Sequence, residues 1–317
     1  MVTSIGTFAQ SQMLVSEMQQ QQTNMDTAAD QVTSGYIASN YQGLASSADT
    51  LLGSQAVQSS TQAYSNSNTL LSNTLQTYNT ALGSLATTAQ SLQQAVTTAL
   101  ANNSGTALID QVQDLLQQAT SQLNTNVGGQ YIFGGTNTTT PPVNTTDPTA
   151  LAALPSPPTA AFSNNQVTPS TQIDANTTVS YGQLASTVGT GLLQSIQQIL
   201  QFNSGTVPTG ATGPASAFGA TLTQTQQTFL TGLLGQLTDN NNTINAAAAQ
   251  NGDLQSELQT VQNNQSTQLN TLTTFISNLQ DANAAQAITN LNQDQVALEA
   301  SYNVISSLSK LSLVNFL

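Results

Sequence analysis

The chain has 317 residues, of which 5% are charged; a single Lys and no Arg stand against fourteen acids, and there is no His and no Cys, for a formal net charge of −13. That balance excludes nucleic-acid binding and attachment to anionic membrane surfaces, because both need clusters of Lys and Arg. It also removes the commonest general base, the thiol nucleophile and the usual zinc ligands, and the acids are scattered apart from loose helical pairs such as Asp26/Asp30 and Asp110/Asp114, so the expectation is a non-enzyme with no cofactor and no metal.

The predicted elements begin with a seven-residue repeat. One row is Phe8, Val15, Gln22 and Ala29; the other is Ser11, Met18, Met25 and Val32. The alternating spacing of three and four predicts a thin coiled-coil seam. The stretch before it has no basic region and no long apolar run, so no cleaved secretory signal is expected. Gly35 and Gly43 bracket a turn with two tyrosines, Tyr36 and Tyr41. Leucines and alanines then recur at helical spacing from Leu44 to Val96, too long for an ordinary globular helix. A turn at Asn102–Gly105 leads to a third helical pattern, Leu108 to Val127.

The stretch GGQYIFGGTNTTTPPV, residues 128–143, interrupts this helical text. Gly128 and Gly129 are expected to stop the helix, Tyr131, Ile132 and Phe133 to form a strand, and Gly134 and Gly135 to turn the chain. Together these seven residues are read as a hinge between domains. From 136 to 185, Pro clusters alternate with β-prone runs at Gln172–Ile173 and Thr177–Tyr181, which predicts a small β-rich insertion. Helical patterning resumes at Leu192, is broken by a loop at 203–215, and runs from about Phe218 onward. Its best heptad is Leu254, Leu258, Val261, Gln265, Gln268, Leu272, Phe275 and Leu279. After a joint at Asp281–Ala285 the seam continues as Ile288, Leu291, Gln295, Leu298, Tyr302 and Ile305, then Leu308, Leu311, Leu313, Phe316 and Leu317.

The expected fold is therefore mainly α: an elongated rod of long helices and a terminal coiled coil, with a small β-rich domain inserted in the middle of the chain. The expected domains are a terminal coiled coil from 1–38 and 282–317, a helical shaft from 39–135 and 186–281, and an outer insertion from 136–185. Weak heptads of this kind gain stability by pairing with each other or with copies of the chain. The apolar residues of both terminal heptads, from Phe8 to Val32 and from Ile288 to Leu317, are thus the candidate assembly interface. No apolar run approaches the ~20 residues of a membrane span.

Two stretches carry a resemblance. ADQVTSGYIASNYQGLASSADTLL, residues 29–52, and DQVALEASYNVISSLSKLSLVNFL, residues 294–317, resemble the terminal signatures of the flagellin superfamily. The Gly-bracketed aromatic knot followed by a Pro-capped Thr run resembles, more narrowly, the hook-associated protein 3 branch, whose members join hook to filament. That resemblance implies a structural flagellar subunit, exported through a type III channel without a cleaved signal and located outside the cell. It implies assembly through the terminal helices, with copies of itself, a neighbouring junction protein, flagellin and an export chaperone on the C-terminal helix as partners. The chain departs from the pattern after the Ser-Gly turn, where Tyr36 and Ile37 stand in place of the usual Lys or Arg. Packing between subunits must then rest on apolar seams and on amide and hydroxyl hydrogen bonds. Two alternatives stay open at this point: bulk filament flagellin, and a surface adhesin or carbohydrate-binding module using Phe162 and Tyr181 of the insertion.

Overall fold

The computed structural model describes residues 2–44 and 47–314, and the side chains of 9–44 and 47–307. The architecture is mainly α. Helices α1 (Val2–Ser34), α2 (Tyr41–Leu44), α3 (Ala48–Ala101) and α4 (Leu108–Leu123) come first. A hairpin of β1 (Asn126–Val127) and β2 (Gln130–Tyr131), helix α5 (Pro148–Ala153) and a second hairpin of β3 (Ser170–Gln172) and β4 (Thr178–Ser180) follow. Helices α6 (Ala185–Asn203), α7 (Gln224–Gln280) and α8 (Ala284–Val314) complete the chain. Both hairpins are antiparallel two-stranded sheets.

Thr and Ser are poor helix formers in isolation, yet they fill these helices. Their hydroxyls donate back to the carbonyl one turn earlier, as in Thr27 to Thr23 at 2.8 Å and Thr74 to Leu70 at 3.1 Å. These hydroxyls are thus satisfied within their own helix. Two helix starts carry side-chain caps. Thr223 and Gln226 form a reciprocal capping box at the start of α7, with bonds of 2.9 and 3.2 Å. Asp147 caps α5 through the amide of Thr149, with Pro148 at the first helical position.

The chain divides into two compact units, one from residues 1–62 and 266–317 and the other from 63–265. The second holds the main core. Leu82, Leu85, Leu92 and Val96 of α3 pack with Val112, Leu116 and Leu123 of α4, Leu192, Ile196 and Ile199 of α6, and Leu230, Leu237 and Ile244 of α7. Two glutamines of α6 hold α5 in place: Gln197 donates to the carbonyls of Leu151 and Leu154, and Gln201 to that of Ala152. These bonds satisfy carbonyls that the short helix leaves open at its C-terminus.

Several sequence expectations are corrected here. The third helix stops at Leu123, four residues short of Val127. The last long helix of this unit starts at Gln224 rather than near Phe218, because the capping box at Thr223 and Gln226 fixes its first turn. Residues 136–185 contain two three-residue strands, at 170–172 and 178–180, beside one short α-helix and one turn of 3-10 helix, so much of the insertion is loop.

Candidate functional site: the terminal helix pair and the aromatic knot

In the first unit, α1 packs along α8. The two run antiparallel: the end of α1 meets the start of α8, and Asn24 and Ala28 line the same cleft as Asn290 and Asp294. In α1 the less exposed residues include Leu14, Met18, Gln21, Met25 and Ala28, spaced four, three, four and three, with Ala29 and Gln31 beside them. In α8 they include Ala287, Leu291, Asp294, Leu298, Ser301 and Ile305, on the same alternation. Both helices therefore present an a/d seam to each other.

This observed seam shares one row with each expected seam and shifts the other. Met18 and Met25 lie in it, as do Leu291, Leu298 and Ile305. The remaining row moves by one residue, from Val15 to Leu14, and from Ile288 and Tyr302 to Ala287 and Ser301. In α8 the reason is size: Ala287, 2% exposed, and Ser301 are smaller than Ile288 and Tyr302, and small side chains let the helix axes approach closely. The displaced apolar residues remain on the surface, Val15 at 42%, Ile288 at 47% and Tyr302 at 53% exposed, and Val32, next in the Met18 and Met25 row, is 36% exposed. Phe8, Leu308, Leu311, Leu313, Phe316 and Leu317 lie outside the residues whose side chains are described.

The breaks in the two ends of the chain meet. Gly35, with φ +76°, ends α1, and Asp281–Asn283 separates α7 from α8. Ile37 N–H donates to the Gln280 carbonyl at 2.8 Å and Ala282 N–H to the Gly35 carbonyl at 2.8 Å, an antiparallel bridge centred on Tyr36 and Asp281. Nearby, Gln55 and Gln58 of α3 donate to Gln280 and Thr273 of α7.

The aromatic knot lies in the second unit. Gly128 and Gly129 form a two-residue hairpin turn, both with positive φ, instead of stopping a helix. The strand ends at Tyr131, and Ile132, Phe133 and Gly134 make a single 3-10 turn, which corrects the expected strand over 131–133. That turn lets Ile132 and Phe133 both point inward, where a strand would have sent them to opposite faces. Phe133 is 1% exposed and meets Tyr78 of α3 edge to face, ring centroids 5.1 Å apart. The Tyr78 hydroxyl donates to the Ile132 carbonyl. Burial pushes the Tyr78 pKa well up, the neighbouring Tyr181 adds to this, and the Gln183 amide pulls it back. The hydroxyl therefore stays a donor across the neutral range. Asn124, just past α4, pairs its amide with both backbone groups of Val143 at 2.8 and 2.9 Å, as a strand neighbour would. Gly135, at φ +69°, has the Asn165 side chain and the Val167 carbonyl pressed against the place a Cβ would occupy. Sequence reasoning missed the roles of Tyr78 and Asn124: Tyr78 reads as one more position of a helical apolar pattern, and Asn124 as one more polar residue at a helix end.

Among the described residues no group of three or more acids, His or Cys stands close enough to hold a metal ion, and no helix is long and apolar enough to cross a membrane.

No protein-family model matches the chain, and no curated protein matches it in sequence. Solved structures do match it in shape. A candidate flagellar hook-associated protein of Vibrio parahaemolyticus superposes with a TM-score of 0.57 at 16% identity, over 73% of this chain and 96% of that one. The crystal structure of Bacillus cereus FlgL superposes with a TM-score of 0.53 at 17% identity, over 72% of this chain and 99% of that one. Near-complete coverage of both structures at TM-scores above 0.5 means that this chain shares the fold of these two flagellar structures.

Proposed function

We propose that the chain is a non-enzymatic structural subunit of the bacterial flagellum that assembles through its terminal helices at the junction of hook and filament. One observation carries the reading: α1 and α8 bury one seam against each other and leave Val15, Ile288 and Tyr302, one residue over from it, exposed. Full burial of a Val or Ile side chain is worth about 1.5–3 kcal/mol. Covering three half-exposed side chains would therefore stabilise an assembled state by a few kcal/mol per subunit, while the isolated pair stays weak. The fold shared with the Vibrio and Bacillus structures supports the flagellar setting. In this reading residues 1–38 and 282–317 line the inner tube, 39–135 and 186–281 form the shaft, 136–185 face outward, and Gly128–Gly135 is the hinge between shaft and outer domain. The partners are further copies of the chain, the adjoining junction protein and flagellin, with an export chaperone on the C-terminal helix before secretion through the type III channel to the cell exterior.

The test is complementation in the source organism. A strain lacking the protein should build a hook, secrete unassembled flagellin and grow no filament. The native chain should restore filaments. A Val15→Ser, Ile288→Ser chain should unfold at the native temperature and fail to restore them. Filaments of normal length in the deletion strain would refute the junction role, and filaments composed mainly of this chain would establish it as the bulk flagellin.

A further inference from the structure

The most demanding polar arrangement in the molecule has no part in the reading above. It lies in the second unit, where the β3–β4 hairpin rests on α3 and α7. Ile173, at the hairpin's tip, is fully buried with Leu71 and Leu75 of α3, Leu258 of α7 and Val179 of β4. Its carbonyl accepts two side-chain amides, from Asn68 of α3 at 2.8 Å and from Gln265 of α7 at 2.8 Å. The Asn68 amide also donates to Gln265 Oε1 at 3.0 Å. Asn68 and Gln265 are both buried, and Asn68 Oδ1 is left without a hydrogen bond. Nothing here is exposed to a ligand, and a set of leucines would fill the space at lower desolvation cost.

Alignment is what such a cluster can supply. Gln265 occupies a seam position of the heptad Leu254, Leu258, Val261, Gln265, and a single buried amide at a seam position is a known way to specify register at some cost in stability. The sequence needs one. Long helices written in Gln, Thr, Ser, Asn and Ala carry a thin apolar stripe, and a slide by one turn or one heptad brings Leu or Ala back to several of its positions. The triad changes completely. A one-turn slide of α7 replaces Gln265 by Val261 or Leu269, and a one-turn slide of α3 replaces Asn68 by Tyr64 or Ser72. Either slide takes one of the two amides off the Ile173 carbonyl and breaks the bond between Asn68 and Gln265, leaving the remaining amide buried with part of its hydrogen bonding unmet. The hairpin supplies the reference point, because its own register, Thr171 opposite Val179, fixes where the Ile173 carbonyl sits.

We propose that Asn68, Gln265 and the Ile173 carbonyl form a register lock, which selects one alignment of α3 with α7 and excludes the pairing of either helix with the same stripe on a second copy of this chain. The absence of cysteine allows a direct test. Leu70 of α3 and Glu257 of α7 are exposed; changed to Leu70→Cys and Glu257→Cys and spin-labelled, they should give one narrow distance in the otherwise native chain. Asn68→Leu with Gln265→Leu should keep or raise the unfolding temperature but spread that distance into peaks displaced by about 5 Å per turn or about 10 Å per heptad, with exchanged dimers in light scattering. Asn68→Leu alone keeps the Gln265 bond to Ile173 and should retain the single distance. One narrow, unchanged distance in a monomeric double variant would overturn the proposal. So would an unfolded double variant beside a folded, aligned single variant, because that result assigns the triad to stability rather than to alignment.

Discussion

Replacing Phe133 by Ala tests whether the aromatic knot is a packed joint or a surface decoration. Phe133 is 1% exposed and its ring meets Tyr78 edge to face at 5.1 Å. Truncating a buried Phe costs about 3–5 kcal/mol from lost transfer energy and the cavity left behind, and an edge-to-face pair contributes about 0.5–1.5 kcal/mol of its own. In a unit spanning residues 63–265, each kcal/mol lowers the unfolding temperature by about 2–4 °C. Phe133→Ala should therefore lower it by about 6–20 °C. Tyr78→Phe separates the two contributions: the ring pair remains, but the buried Ile132 carbonyl loses its donor, at about 1–3 kcal/mol. The assay is denaturant unfolding followed by far-UV circular dichroism, with the double variant completing a cycle. The two losses should fall short of additive, because removing the Phe133 ring loosens the turn that holds the Ile132 carbonyl against the Tyr78 hydroxyl. A Phe133→Ala loss below about 1 kcal/mol, or full additivity in the cycle, would refute the view that Tyr78 and Phe133 form one packed unit.

Three further outcomes follow from local geometry. Gly135→Ala should destabilise by more than about 1 kcal/mol, since φ is +69° and the added Cβ would strike Asn165 and the Val167 carbonyl, whereas Gly83→Ala, in open space on helix α3, should stabilise by about 0.5–1 kcal/mol; thermal unfolding reads both. The Asp174 carboxylate accepts from the Asn176 and Thr177 amides, which hold its pKa below the ordinary carboxylate value. A depressed folded-state pKa means that this turn's stabilisation is present above the unfolded-state value near 4 and is lost as the pH falls through the lower folded value. Hydrogen exchange at Asn176 and Thr177 should accordingly lose protection in acid, and Asp174→Asn should make it independent of pH. Finally, amides of α1 and α8 should exchange rapidly in the monomer and slowly in assembled material, while those of α4 and α6 stay protected in both; strong protection of α1 and α8 in a verified monomer would contradict the weak-pair reading.

The long helices were legible because Leu and Ala recur at helical spacing over dozens of residues, and the breaks at Gly35, Asn102–Gly105 and Asp281 carried turn residues that say so. The seam between α1 and α8 was legible only in part. A pattern search weighs Ile288 and Tyr302 above Ala287 and Ser301, but close packing of two helices favours the small residue, so that row of α8 shifted by a position. The break in helical text at the knot was legible, but its conformation was not: Tyr131, Ile132 and Phe133 have strand propensity, yet the need to bury two adjacent side chains on the same side favours a 3-10 turn. The partners Tyr78 and Asn124 were invisible because their roles depend on chain 19 or more residues away, and local patterns carry no such distance.

The joint where α1 ends and α8 begins has a consequence for descent. It is closed by backbone groups: Ile37 and Ala282 donate their amides, and Gln280 and Gly35 offer their carbonyls. The side chains of Ile37, Gln280 and Ala282 can vary without altering the bonds, provided that neither donor becomes proline, while Gly35, at φ +76°, stands where the backbone favours glycine. A lineage could therefore change most side chains across this region and keep the same bend. Such a joint is inherited as geometry and leaves little trace as spelling, in keeping with a fold shared at 16 and 17% identity.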